Sequence, residues 1–524
     1  MEARAHRPPP WRRGAWGGAA ALAAAGLLAK ILSAVYRILV AQWLGAEVVG
    51  LYELATPILA TGISLCGLGL PVATSAQVAG ALGRGEGTEA RRLQAGSRTL
   101  LLLASAVGAS AVFLLAPLLA RAVGNPAATW PLRAIAPGIL LAVVLAGEKA
   151  WLQGSGRVAA SAAAVTVEQV ARVGAALGAA AALRGVPAAA AGTAATAVAW
   201  SPAVGAVGGI ATCALTDRLT PAPTGGARVP ALGLGLATRS LLQGGLPNWA
   251  ASVVSSLTTA MDAAFVVWRL RAVGMGDYTA TAWLGELNGM AMPLAVGPTV
   301  LFGALGTALI PDMARDFAQG RAESLRGRGE SAYFWVLAVA APCACGLWQL
   351  AEPVCRLIFP RNPGAALPLG VLAFTGVPLA LTYVACAVVN AVGRPAALLP
   401  GATFGSAVKS GLVLALTGTA GLGVRGSALG ILAGLSLGAG LNVRAASALT
   451  GCRPPWGTLA VLVLPAVAVQ VLAAQGAWGA LSQTDLALRV LLTVGAAGAA
   501  YVVLFAGGWR LWRRRLRLPV WPRL

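Results

Sequence analysis

AWGGAAALAAAGLLAKILSAVYRI, residues 15–38, decides how the rest of the chain is read. Small and apolar residues run for about 24 positions, the length an α-helix needs to cross ~30 Å of hydrocarbon. Inside the run stand Lys30 and Arg37, seven residues apart and so on one helix face. A charge in such a helix is costly and faces a partner or a wet cavity. Together these features describe a membrane-spanning protein that handles something polar.

Working outward, the same pattern recurs to about residue 508. Of 524 residues, 58% are hydrophobic and 11% are charged, which leaves no composition for a large soluble domain. About fourteen apolar spans can be drawn, roughly 37 residues for each span with its loop. The runs are unbroken rather than alternating at every second residue, so they predict helices and not barrel strands. The expected fold is an all-α polytopic membrane protein: two pseudo-symmetric six-helix lobes and two C-terminal helices. The expected divisions are a basic N-terminus (1–14), a first lobe (15–215), a linker (216–240), a second lobe (241–448), the two last spans (456–508) and a basic tail (509–524).

Arginine placement gives orientation. Arg84, Arg91, Arg92, Arg315, Arg321 and Arg328 fall on segments of the same side as both basic termini. The positive-inside rule puts that side, and both termini, in the cytoplasm. The formal charge of +22 follows largely from this asymmetry, because juxtamembrane arginines attract anionic lipid headgroups. The basic residues are dispersed over loops, which argues against nucleic-acid binding. The first span outruns a signal-peptide core and is read as uncleaved. Seven cysteines with one histidine (His6) make small buried side chains, not metal ligands. No loop is long enough to hold a catalytic acid motif, so no enzyme and no cofactor are expected.

The chain repeats itself at an offset of about 232–241 residues: Pro57 with Pro293, Pro71 with Pro311, Pro137 with Pro378, Arg157 with Arg394, Arg184 with Arg425. Six spans lie between the copies, so both have the same orientation and the repeat is parallel. It also orders the charges within spans. Asp262 and Arg269 repeat the seven-residue spacing of Lys30 and Arg37. Glu53 matches Glu286, and Arg172 matches Lys409, each about 22 Å along its helix from a loop arginine. Glu168 and Arg172 are four apart, a spacing that permits neutralisation within one helix. Glu148 and Lys149, near a cytoplasmic end, read as structural. Lys30, Asp262 and Lys409 lie deeper and lack an obvious local partner.

The segment Lys30-Ile-Leu-Ser-Ala-Val-Tyr-Arg37, with Leu44-Gly45-Ala-Glu47 and Gly50-Leu51-Tyr52, resembles the opening of the stage V sporulation protein B family. These proteins are relatives of lipid II flippases in the multidrug/oligosaccharidyl-lipid/polysaccharide (MOP) exporter superfamily. Gly69-Leu70-Pro71, Glu168-Gln169-Val-Ala-Arg172, Gly285 through Pro293, and Leu309-Ile310-Pro311 extend the likeness over nearly the whole chain. Gln42 stands where relatives often carry a basic residue, and Glu53 where they often carry glutamine.

The resemblance implies a flippase for a lipid-linked oligosaccharide, a peptidoglycan precursor or a polysaccharide unit. It would work as a monomer, by alternating access through a cationic central cavity, in the cell membrane. The implied partners are an undecaprenyl-pyrophosphate-linked saccharide and membrane lipids. Lys30, Arg37, Arg172 and Lys409 are then the headgroup contacts, since fixed cations replace the hydration a pyrophosphate loses. Glu53, Glu168, Asp262 and Glu286 are the candidates for holding those cations or for coupling to Na⁺ or H⁺. The alternative within the superfamily is an H⁺- or Na⁺-coupled multidrug cation antiporter, whose cavity would be dominated by acids.

Overall fold

The computed structural model describes residues 10–185, 190–220, 236–419 and 421–512. The expected N-terminal basic segment, linker and tail lie largely outside these described residues. Among the described residues there are nineteen α-helices, short 3₁₀ turns, one π-helical segment and no strand. Backbone amides in lipid must bond within their own segment, and helices alone do this for isolated apolar runs. Eleven of the helices are long and apolar enough to cross a membrane. The protein is a multi-pass membrane protein.

Eleven is fewer than the fourteen spans drawn from sequence, and the difference has local causes. The helix Pro10–Gly67 covers the first two expected spans and is broken only at Gly45 (φ 82°, ψ 174°), a backbone conformation that favours glycine. The eighth expected span, drawn over residues 280–306, is interrupted. It comprises the helix Asp277–Leu284, the π-helix Gly285–Ala291, the short helix Met292–Val296 and then Thr299–Ala318. The fifth, expected over residues 158–182, is the continuous 25-residue helix Val158–Ala182, which carries Glu168 and Arg172 in its middle. The segment around Pro71 is a helix, Leu70–Gly83, entered through a left-handed turn at Leu68 and Gly69. Pro71 sits in its first turn, where the missing amide costs nothing.

By the density of its internal contacts the chain divides into two compact units. One is Met1–Leu44 with Leu51–Ala260; the other is Gly45–Gly50 with Met261–Leu524. The turns of the repeat recur at matching places. Gly85 and Gly320 have φ of 80° and 67°, and Gly156 and Gly393 have φ of 79° and 74°, each just before a helix.

The last two helices, Trp456–Ala480 and Leu486–Trp512, are fastened to Ala322–Gln349 by a proline's side effect. Pro342 lies inside that helix and has no N–H for the carbonyl of Ala338, four residues earlier. The Tyr501 hydroxyl donates to that carbonyl at 2.6 Å. Gln470 Nε2 donates to the Pro342 carbonyl at 2.9 Å. Phe334, Trp335, Phe505 and Trp509 stack around the same junction with centroids 5.0–6.4 Å apart. Ring stacking of this kind adds specific geometry to plain apolar packing.

Candidate functional site: an unequal set of buried charges

In the first unit, Arg37 Nη1 lies 3.2 Å from Glu53 Oε1, and the Glu53 side chain is 6% exposed. The contact is close enough for an ion pair, though Glu53 Oε1 accepts no hydrogen bond of good geometry. One residue before each partner stands a buried tyrosine. The Tyr36 and Tyr52 hydroxyls are 3.3 Å apart, and Arg172 Nη2 donates to Tyr52 Oη at 3.3 Å. Gln169 Nε2 donates to Ser33 Oγ at 2.8 Å. Ser33 and Tyr36 lie three residues beyond Lys30 and Ser33 respectively, so the helix face that carries Lys30 is turned toward Val158–Ala182.

The expected neutralisation of Glu168 by Arg172 is not what the structure shows. Glu168 Oε2 accepts from Lys149 Nζ at 2.8 Å, across helices rather than along one. Glu148 pairs with Arg98 at 3.2 Å. Arg172 is thereby left with tyrosine alone, and its Nε is buried with no acceptor among the described residues. Lys30 is exposed and has neither a hydrogen bond nor an ion pair there.

Asp262 and Lys409 in the second unit, which looked partnerless in sequence, are each other's partner. Lys409 Nζ lies 2.7 Å from Asp262 Oδ2, with the side chains 19% and 15% exposed. Ser410 Oγ donates to the other carboxylate oxygen at 2.5 Å. Lys409 is therefore not a free cation. Arg269 does not repeat the Arg37–Glu53 pair either; its Nε donates to the carbonyl of Thr417 at 3.3 Å. Glu286, on the π-helix, has no ion pair or hydrogen bond among the described residues. Gly364 leaves it room, since a Cβ there would lie 2.7 Å from Glu286 Oε2. π-Helical segments cost backbone geometry and often mark functional places.

Among the described residues, then, Arg37 and Lys409 of the four expected cations are paired, while Lys30 and Arg172 meet no carboxylate. Of the four expected acids, Glu53, Glu168 and Asp262 are paired and Glu286 is not.

Each unit also sets its central cation against a glycine that the sequence reading passed over. A Cβ on Gly205 would lie 2.8 Å from the Arg172 Cβ and 2.7 Å from the Glu168 carbonyl. A Cβ on Gly434 would lie 2.4 Å from the Lys409 Cβ. In both units the next helix, Ser201–Leu219 or Val424–Thr450, presses its backbone directly behind the cation-bearing helix. That close approach is the use small residues have in membrane helix packing.

Two further carboxylates, also absent from the sequence reading, tie down arginines near the ends of helices. Asp217 accepts from Arg157 Nη2 at 2.9 Å and from Trp151 Nε1 at 3.1 Å. Asp316 accepts from Arg328 Nε at 2.7 Å and Ser324 Oγ at 2.8 Å, and pairs with Arg321 at 2.8 Å. Burial alone would raise the Asp316 carboxyl, but these hydrogen bonds and positive charges outweigh it and hold the group below the usual carboxylate range.

Comparison with known proteins places this arrangement. Residues 15–317 match the model of the polysaccharide biosynthesis protein family. Stage V sporulation protein B of Bacillus subtilis (strain 168) is 27% identical over 427 residues, 80% of this chain and 81% of that protein. Among solved structures, lipid II flippase MurJ in an inward closed conformation superposes with a TM-score of 0.69, covering 93% of this chain and 98% of MurJ at 13% identity. An inward-facing multidrug resistance MATE family transporter of the MOP superfamily gives a TM-score of 0.64, over 80% and 94% of the two chains, at 16% identity. At such identities these two likenesses concern the fold. With a family match over more than half its length, the chain belongs to the polysaccharide biosynthesis protein family.

Proposed function

We propose that the protein is a flippase for an anionic lipid-linked oligosaccharide, working by alternating access, with Lys30 and Arg172 as the contacts for the phosphate-bearing headgroup. One observation carries this reading: of the four candidate cations, those left without a carboxylate among the described residues are Lys30 and Arg172, and the buried Arg172 Nε still lacks an acceptor there. An unsatisfied buried donor is costly by about 1–3 kcal/mol, and a phosphate oxygen supplies the missing acceptor with the geometry guanidinium prefers. Arg37, locked to Glu53, fixes the tyrosine pair against which Arg172 leans. The name of stage V sporulation protein B and the lipid II substrate named for MurJ fit a wall or polysaccharide precursor. An undecaprenyl pyrophosphate carrier is the proposed lipid, and the arginine bias of the loops supports cytoplasmic termini.

Glu286 supports a second reading. As the expected acid without a cation, it suits H⁺ or Na⁺ coupling, or in a multidrug antiporter the binding of an organic cation. The test is reconstitution in proteoliposomes. The flippase reading expects movement of a fluorescent undecaprenyl-pyrophosphate oligosaccharide between leaflets. Folded protein that leaves this lipid in place, yet exports an organic cation down a proton or Na⁺ gradient, would establish the antiporter instead.

A further inference from the structure

The second unit holds two adjoining cavities, of about 630 and about 810 Å³, that share a wall of Trp348, Gln349, Glu352 and Arg356. Both volumes fall in the range of sites that take small organic ligands. They lie at the far end of Ala322–Gln349 from Arg328, about 30 Å along the helix axis. They are thus separate from the Asp316 cluster.

Their linings are divided by chemistry. The larger cavity has an apolar bed that includes Leu367, Val371, Phe374, Leu429 and Leu432, with Arg356 and Arg425 among its polar lining. The smaller is lined by Trp478 and Arg489 beside the shared wall. Arg489 is held in place, stacked 3.9 Å from the centroid of the Trp478 ring and donating to the Trp478 carbonyl at 2.9 Å. Glu352 is taken by Arg356 at 2.5 Å. Arg425 has no ion pair among the described residues, and the Arg356 side chain is 62% exposed. Three arginines and one carboxylate therefore line the two cavities, next to an apolar and aromatic bed. Arginine and tryptophan beside aliphatic side chains are the residue types that meet a lipid where its headgroup joins its chains.

We infer that the paired cavity binds an anionic phospholipid, its phosphodiester on Arg356 and Arg425 and its chains along Trp348, Phe374 and Leu429. This lipid is a bound component of the second unit, distinct from whatever the protein transports. Charge complementarity selects the anionic lipid, because a zwitterionic headgroup brings its own cation to a site already rich in arginine.

The test is native mass spectrometry of the full-length protein in neutral detergent, titrated with phosphatidylglycerol and, separately, phosphatidylcholine. The expected result is one saturable phosphatidylglycerol adduct, with phosphatidylcholine bound more weakly. In Arg356→Gln/Arg425→Gln the phosphatidylglycerol affinity falls by roughly tenfold or more, from the loss of charge-assisted hydrogen bonds. Gly370→Trp keeps every arginine and fills the larger cavity, so it loses the adduct as well, whether or not the double variant folds. Unchanged affinity in Gly370→Trp, or equal binding of the two lipids, overturns the proposal. Displacement of the lipid by millimolar inorganic phosphate also overturns it, because the site is then one for a free anion.

Discussion

Lys409 and Asp262 form a 2.7 Å ion pair inside the second unit, at the place where the repeat puts Arg172 and Lys30 in the first. With an acid at 262 where the first unit has a base at 30, this pair is neutral, while Lys30 and Arg172 are both positive. The pair should behave as a buried ion pair does. Asp262→Asn alone strands Lys409 and should destabilise the protein by about 3–5 kcal/mol. The double variant Asp262→Leu/Lys409→Met, which removes both charges, should recover most of that loss. Thermal unfolding of the purified variants checks it; a double variant as unstable as the single would show that the pair contributes beyond mutual neutralisation.

The glycines behind the cations predict a position-specific intolerance. Gly205→Ala and Gly434→Ala place a methyl within 2.8 Å of the Arg172 and Lys409 Cβ atoms. Overpacking of this kind costs about 1–3 kcal/mol. Gly174→Ala, on the same helix as Arg172 with nothing within 4 Å of its Cβ, should be neutral. Melting temperatures that fall equally at all three positions would contradict the close helix approach.

Tyr501 answers the carbonyl that Pro342 leaves open. Tyr501→Phe keeps the stacking on Phe505 and removes only the hydroxyl, so it should cost about 1–2 kcal/mol. In a Pro342→Ala background the helix supplies its own amide to Ala338, and the same substitution should cost much less. A double-mutant cycle measures the difference.

The Asp316 cluster predicts a direction in pH. Its carboxyl is held below its ordinary value, so the cluster stabilises the protein fully above the unfolded pKa of about 4. That contribution is lost as pH falls through the lower folded value. Asp316→Asn should therefore lower the melting temperature at pH 7, and the gap from the native protein should narrow below about pH 4. A gap independent of pH would place the effect in packing instead.

The helical membrane fold was legible in apolar runs such as 15–38, because lipid leaves a chain few alternatives. The match of Arg157 with Arg394 was legible too, and each follows a left-handed glycine, Gly156 or Gly393. Identity of the candidate charges was also readable, since charge in an apolar span is conspicuous. Which charge meets which was not. Lys409 and Asp262 sit on helices far apart in sequence, and spacing along one helix falsely favoured Glu168 with Arg172 over Glu168 with Lys149. Gly205 and Gly434 were invisible among 67 glycines, because only the packed neighbour distinguishes a required glycine from a tolerated one. The break of the eighth expected span into a π-helix left no signal in hydropathy either.

The central claim is that the uncompensated cations of the first unit, and not Lys409, receive the anionic headgroup. Lipid flipping in proteoliposomes tests it most directly, with the native protein beside Lys30→Gln/Arg172→Gln and Asp262→Leu/Lys409→Met. The expected result is a loss of tenfold or more in the first variant, the scale of one or two charge-assisted contacts, with substantial transport retained in the second. Full transport by folded Lys30→Gln/Arg172→Gln, with transport abolished in the other, would contradict the account and move the headgroup site to the second unit.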